Sequence, residues 1–163
     1  MFKTAFAASL AAVAFANEPH FIEAVSNDEC DLTIQQLSGN ENFTAVDSMT
    51  YPEPTRVKKG STQKFNIGGY WAIDGSILDN VTFTCLLNGA EVFNEEYKCT
   101  DAAENDYGNC VKPAPTPGAQ WSADFGFDVP AIAPQMFVYD AHVTGYKADG
   151  TKLFEMESKF KIC

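Results

Sequence analysis

The five cysteines, Cys30, Cys85, Cys99, Cys110 and Cys163, have the widest chemistry open to them in this 163-residue chain. They could ligate a metal or close disulfides. Their spacings fit no zinc pattern, and the two histidines, His20 and His142, add no ligand pair. Asp101, Glu104 and Asp106 cluster between Cys99 and Cys110, but their spacing misses the calcium-loop pattern and lacks its closing bidentate Glu, so they read as a solvated acidic loop. No G-x-S-x-G elbow and no glycine-rich phosphate loop is present, and neither histidine has an evident nucleophile partner. The chain is therefore not read as an enzyme, and neither a metal nor a cofactor is expected. Asn42-Phe43-Thr44 and Asn80-Val81-Thr82 are acceptor triplets for N-glycosylation, which a eukaryotic secretory path would place on Asn42 and Asn80.

The compartment decides how the cysteines are read. Lys3 gives a short positive start, Ala5 to Ala14 is an apolar run, and Ala14-Phe15-Ala16 offers the small residues a signal peptidase recognises. Residues 1–16 are read as a signal peptide, 17–29 as an N-terminal segment and 30–163 as one folded domain. The apolar run is shorter than the about 20 residues a bilayer span needs, so the mature chain is expected to be exported and soluble. In an oxidising compartment paired cysteines are staples more often than metal ligands. Cys99 and Cys110 flank a polar stretch, which predicts a local bridge worth roughly 3 kcal/mol on the loop-entropy model. Cys85 alternates with Val81, Phe83 and Leu87 and is expected to be a buried free thiol acting as a small hydrophobe. Five is odd, so one thiol is left over or pairs between chains; Cys30 and Cys163, near the two ends of the mature domain, are the candidates for a second bridge.

Acids outnumber bases 22 to 11, for a formal net charge of -11, and no basic stretch interrupts that excess. Binding to a nucleic-acid backbone would be electrostatically opposed. With 13% aromatic and 20% charged residues the chain can build a sizeable core.

The elements that must position these residues are strands, because the hydrophobic pattern alternates with period two almost throughout. Phe65, Ile67 and Trp71 share one face of a run; so do Val81, Phe83, Cys85 and Leu87, then Trp121, Phe125 and Phe127, then Phe137, Tyr139, Ala141 and Val143, then Phe154, Met156, Phe160 and Ile162. Further strands are expected over 31–37, 45–51 and 91–97. Asn88-Gly89 and Asp149-Gly150 are hairpin dipeptides suited to type I′ turns, and the Pro-rich stretch 112–118 reads as a loop crossing between sheets. Seven to eight strands with one apolar face apiece must pack as two layers, so the fold class is all-β: an immunoglobulin-like β-sandwich of two antiparallel sheets. The Cys and Trp arrangement of true immunoglobulin domains is missing.

These residues resemble the ML lipid-recognition domain family, over roughly Cys30 to Ile162. The likeness rests on Tyr51-Pro52-Glu53-Pro54 with Lys58-Lys59-Gly60, the Asn80–Leu87 strand, the loop from Tyr97-Lys98-Cys99 to Gly108-Asn109-Cys110, Phe127-Asp128-Val129-Pro130, and Tyr146-Lys147-Ala148-Asp149-Gly150 running into Leu153-Phe154. Many family members carry a cysteine shortly after the last hairpin, bridged to the first cysteine of the domain. Here that neighbourhood reads Leu153-Phe154-Glu155-Met156 and the final cysteine is Cys163.

The resemblance implies a carrier, secreted or in the lumen of an acidic organelle such as a lysosome or vacuole, that holds one sterol or phospholipid between its sheets and touches membranes transiently. The inward candidates for lipid contact are Phe83, Leu87, Phe93, Tyr97, Trp121, Phe125, Phe127, Tyr139, Val143 and Phe154, with Tyr107 and Val111 at the pocket mouth. Space is expected beside Val143, which the small residues Ala141 and Gly145 flank. Burying about a dozen methylenes would gain roughly 10 kcal/mol before association costs of about 4 kcal/mol or more. The alternative is a secreted β-sandwich interaction module whose core is dry and close-packed.

Overall fold

The computed structural model describes residues 21–22, 33–45, 57–101, 108–135 and 137–162. Its strands are β1 (Phe21–Ile22), β2 (Thr33–Ser38), β3 (Phe43–Ala45), β4 (Thr62–Trp71), β5 (Asn80–Leu87), β6 (Ala90–Lys98), β7 (Gly108–Asn109), β8 (Gln120–Asp128), β9 (Val138–Tyr146) and β10 (Lys152–Lys161). They form a six-stranded sheet, β1-β2-β10-β9-β5-β6, and a four-stranded sheet, β3-β4-β8-β7, with every ladder antiparallel. The fold is an all-β sandwich.

Alternation drives the layering. Along β5, Val81, Phe83 and Cys85 are buried while Thr82 and Thr84 are partly exposed, and β8 repeats the pattern with Trp121, Ala123 and Phe125. Both inner faces thus turn toward one core. Two side chains tie the layers at opposite edges. Gln36 of β2 is buried; its Nε2 donates to the Phe43 carbonyl at 2.6 Å and its Oε1 accepts from the Ala45 N–H at 2.9 Å. At the other edge the Tyr97 hydroxyl of β6 donates to the Gly126 carbonyl of β8 at 2.8 Å. Each bond satisfies polar atoms that would be costly to bury unpaired.

Asn88 and Gly89, with φ of 52° and 80°, make the tight β5–β6 hairpin that the dipeptide predicts. Asp149-Gly150 differs from its expectation. Gly150 alone of the pair has positive φ, and the connection is longer, closed by Gly150 N–H to the Lys147 carbonyl and Lys147 N–H to the Thr151 carbonyl. The Asp149 carboxylate accepts from the Thr151 N–H, and the register slips between Lys152 and Phe154, so an extra residue is absorbed by a bulge rather than a two-residue turn.

Three further expectations are corrected. The Pro-rich stretch does not cross between sheets: it joins β7 to β8 within the four-stranded sheet. The strand expected over 45–51 is Phe43–Ala45 where described, and 46–51 lie outside the described residues. Phe137 does not share the buried face of Tyr139, Ala141 and Val143; it is 50% exposed, because it precedes the last ladder pair, Val138 with Lys161, where the pleat no longer sets its direction.

Cys99 and Cys110 are disulfide-bonded, and Cys85 is free and buried. Cys30 and Cys163 lie outside the described residues.

Candidate functional site

The ladder registers align side chains in rows across the inner face of the six-stranded sheet. Val81, Gly145 and Phe154 form one row, Phe83, Val143 and Met156 the next, then Cys85, Ala141 and Ser158, then Leu87, Tyr139 and Phe160. The third row is built entirely of small side chains. A cavity of about 230 Å³ opens between the layers at this end, bordered by Cys85 of that row and by Leu87, Tyr139 and Phe160 of the next.

Its walls come from both sheets and from the loop that leaves β8. Cys85 and Leu87 of β5, Phe93 of β6, Tyr139 of β9, and Phe160 of β10 with Ile162 beyond its end line one side; Phe127 and the segment Val129–Pro134 line the other. The Tyr139 hydroxyl donates to the Pro134 carbonyl at 2.9 Å, which holds that segment over the cavity. Asp128, whose carboxylate accepts from Thr62 Oγ1 at 2.6 Å, is the charged residue of the lining. At the rim Ile132 is 91% and Val92 51% exposed, and Phe137 and Val138 lie half-exposed nearby in sequence.

The opposite end is closed. Phe43, Trp71, Trp121 and Phe154 pack ring on ring, with Phe43 5.2 Å from Trp71, 5.5 Å from Trp121 and 5.0 Å from Phe154 between centroids. A Cβ on Gly145 would run into the Phe154 ring, so the space that the small residues around Val143 suggest is already filled.

Of the expected contact residues, Leu87, Phe93, Phe127 and Tyr139 border the cavity. Phe83, Tyr97, Trp121, Phe125, Val143 and Phe154 pack in or against the core without lining it. Phe83 stacks on Phe127 at 4.9 Å and supports the wall from behind. Val111 sits at the closed end, where its carbonyl accepts from Trp121 Nε1 at 2.7 Å, because the disulfide and the cavity occupy opposite ends of β8. Tyr107 lies outside the described residues. Sequence reasoning left out Val92, Ile132, Ala133, Phe160 and Ile162. Phe160 and Ile162 belong to an alternation already visible, and Ile132 and Ala133 lie between Pro130 and Pro134, where no period marks them.

The two acceptor triplets have engaged amides. Asn42 Nδ2 donates to the Leu153 carbonyl at 2.8 Å, and Asn80 Nδ2 to Glu96 Oε1 at 3.0 Å.

Cys85 faces the cavity, and its thiol is pushed up to about 12, first by burial and then by the nearby Asp140 carboxylate. The reactive thiolate is vanishingly scarce at neutral pH. Native protein treated with iodoacetamide at pH 8 should leave Cys85 unmodified, while protein in denaturant should be alkylated there. Peptide mass mapping reads both, and rapid labelling of the native form would contradict this burial.

No family model matches the sequence, and no curated protein matches it. Among solved structures, chicken MD-1 complexed with lipid IVa aligns with a TM-score of 0.51 at 14% identity, over 88% of this chain and 96% of its own. A Niemann-Pick type C2 protein from Japanese carpenter ant aligns with a TM-score of 0.52 at 14% identity, over 78% of this chain and 97% of its own. The chain has their fold. At this identity the likeness is one of architecture, and it extends over nearly the full length of both solved chains.

Proposed function

We propose that this protein binds a lipid and transfers it between membranes, holding one sterol or phospholipid by its apolar part between the two sheets. The observation that carries this reading is the apolar cavity of about 230 Å³ with an exposed hydrophobic rim. An engineered cavity of about 150 Å³ takes up benzene, so on that scale the cavity as it stands accommodates about nine carbon atoms. At about 0.8 kcal/mol each these contribute roughly 7 kcal/mol before association costs. A larger guest requires the layers to part at this end, beyond the Tyr97–Gly126 tie that stands next to Phe127 of the wall. The shared fold supports the reading, since chicken MD-1 holds lipid IVa. The apolar run at residues 5–14, read as part of a leader, and the disulfide support a secreted or lumenal location.

Protein purified without detergent and extracted with organic solvent should yield a stoichiometric lipid by mass spectrometry. Failure to recover or reload any sterol, fatty acid or phospholipid would favour the interaction module instead.

Ile132 and its apolar neighbours are suited to dip into the membrane interface while the guest passes. Ile132→Asp should slow transfer between neutral vesicles several-fold, by more than it weakens equilibrium lipid affinity, because Ile132 borders the cavity only at its exposed rim. Its stability should stay within about 0.5 kcal/mol, because the side chain packs against little. A stopped-flow transfer assay checks this, and an unchanged rate would remove Ile132 from the membrane contact.

A further inference from the structure

We propose that Asp140, His142 and Glu157 bind one first-row divalent transition-metal ion, of the zinc class, on the outer face of the six-stranded sheet. This site is independent of the lipid reading and lies on the opposite face of β9 and β10 from the core. Asp140 and His142 are two apart on β9, so the pleat projects both outward. Glu157 stands directly opposite His142 in the β9–β10 ladder. One ligand atom from each of the three lies within 4.8 Å of the other two.

Ligand atoms held at about 2.0–2.2 Å from one ion lie within about 4.4 Å of each other. Closing the cluster therefore takes a shift of roughly half an ångström, which the broad terminal torsions of Asp and Glu allow. His142 Nε2 is 3.4 Å from Asp140 Oδ1, and its Nδ1 is 3.3 Å from Glu155 Oε1. With Nε2 on the ion, Nδ1 donates its proton to Glu155, the carboxylate–histidine–metal arrangement that fixes the tautomer and the ring plane.

Asp140 Oδ1 and His142 Nδ1 are both shielded from solvent and make no well-aligned hydrogen bond, their neighbours being His142 Nε2 at 3.4 Å and Glu155 Oε1 at 3.3 Å. An ion on Nε2 would engage Asp140 Oδ1 directly and draw the Nδ1 proton onto Glu155. Charge agrees: Asp140, Glu155 and Glu157 face Lys152, 2.6 Å from Glu155, and Lys159, 3.0 Å from Glu157. Both ammonium groups sit on half-exposed side chains. The imidazole selects zinc-like ions over calcium and magnesium, which prefer all-oxygen sites.

Chelator-treated protein titrated with zinc chloride in a calorimeter should bind one equivalent, with the His142 ring resonances shifting in NMR and the melting temperature rising. His142→Ala and Glu157→Gln should each weaken binding at least tenfold. Lys159→Met should tighten it, because it removes the competing cation, and His20→Ala should leave it unchanged. Should His142→Ala fail to fold, the nearly isosteric Glu157→Gln decides alone. No saturable zinc binding, zinc binding as tight in either folded variant as in wild type, or equal affinity for magnesium would each overturn the site.

Discussion

Ala133→Phe is expected to weaken lipid binding at least tenfold while changing the stability of the lipid-free protein by less than about 1 kcal/mol, under the usual 1–3 kcal/mol cost of overpacking. Ala133 is buried and lines the cavity from the segment held down by the Tyr139 hydroxyl. A benzene-sized ring fits in about 150 Å³, so the new side chain takes up most of the about 230 Å³ without displacing the walls. Val143→Phe is the contrasting variant. Val143 lies in register between Phe83 and Met156, and the Phe154 ring closes the space over Gly145. Here the ring has nowhere to go, and the cost should be about 1–3 kcal/mol. Fluorescent-lipid titration and urea denaturation of both variants separate the effects. If Ala133→Phe binds lipid like wild type, the guest does not occupy this cavity.

Phe154→Ala is expected to cost about 3–5 kcal/mol, a large share of the about 5–15 kcal/mol by which domains are stable. Phe154 is fully buried, packs on Phe43, Trp71 and Trp121, and covers Gly145. Its removal opens a void beside three aromatic rings that hold one another, and none can swing in to fill it. Gly145 has no positive φ, so alanine suits its backbone, and the Phe154 ring is the obstacle. Gly145→Ala alone should therefore destabilise, whereas in the Phe154→Ala background it should enter the void and recover stability. Urea denaturation of the four proteins should give a favourable coupling of at least about 1 kcal/mol. Additive losses would mean that the ring does not rest on Gly145.

Much of the architecture is a local property of the chain. Whether a residue of β5, β8 or β10 faces in or out follows from period-two alternation, because adjacent residues of a strand point to opposite sides. The Cys99–Cys110 bridge spans a short separation and the Asn88-Gly89 turn only two residues, so neighbours in sequence suffice to predict both. The Asp149-Gly150 connection escaped because a bulge on β10 changes its length, and a bulge depends on the partner strand.

The sites were not legible for the same reason. That Leu87, Tyr139 and Phe160 form one row, beside Cys85 on the wall of the cavity, requires the relative register of three strands far apart in sequence. Gly145 suggested room beside Val143, but only packing shows that a ring from the neighbouring strand fills it. His142 has no ligand partner at any helical or zinc-finger spacing, yet the β9–β10 ladder sets Glu157 opposite it. Which face of each strand is apolar is written in consecutive residues and can be read from them. Which side chains meet across strands and layers depends on register, because a one-residue slip would exchange every such neighbour.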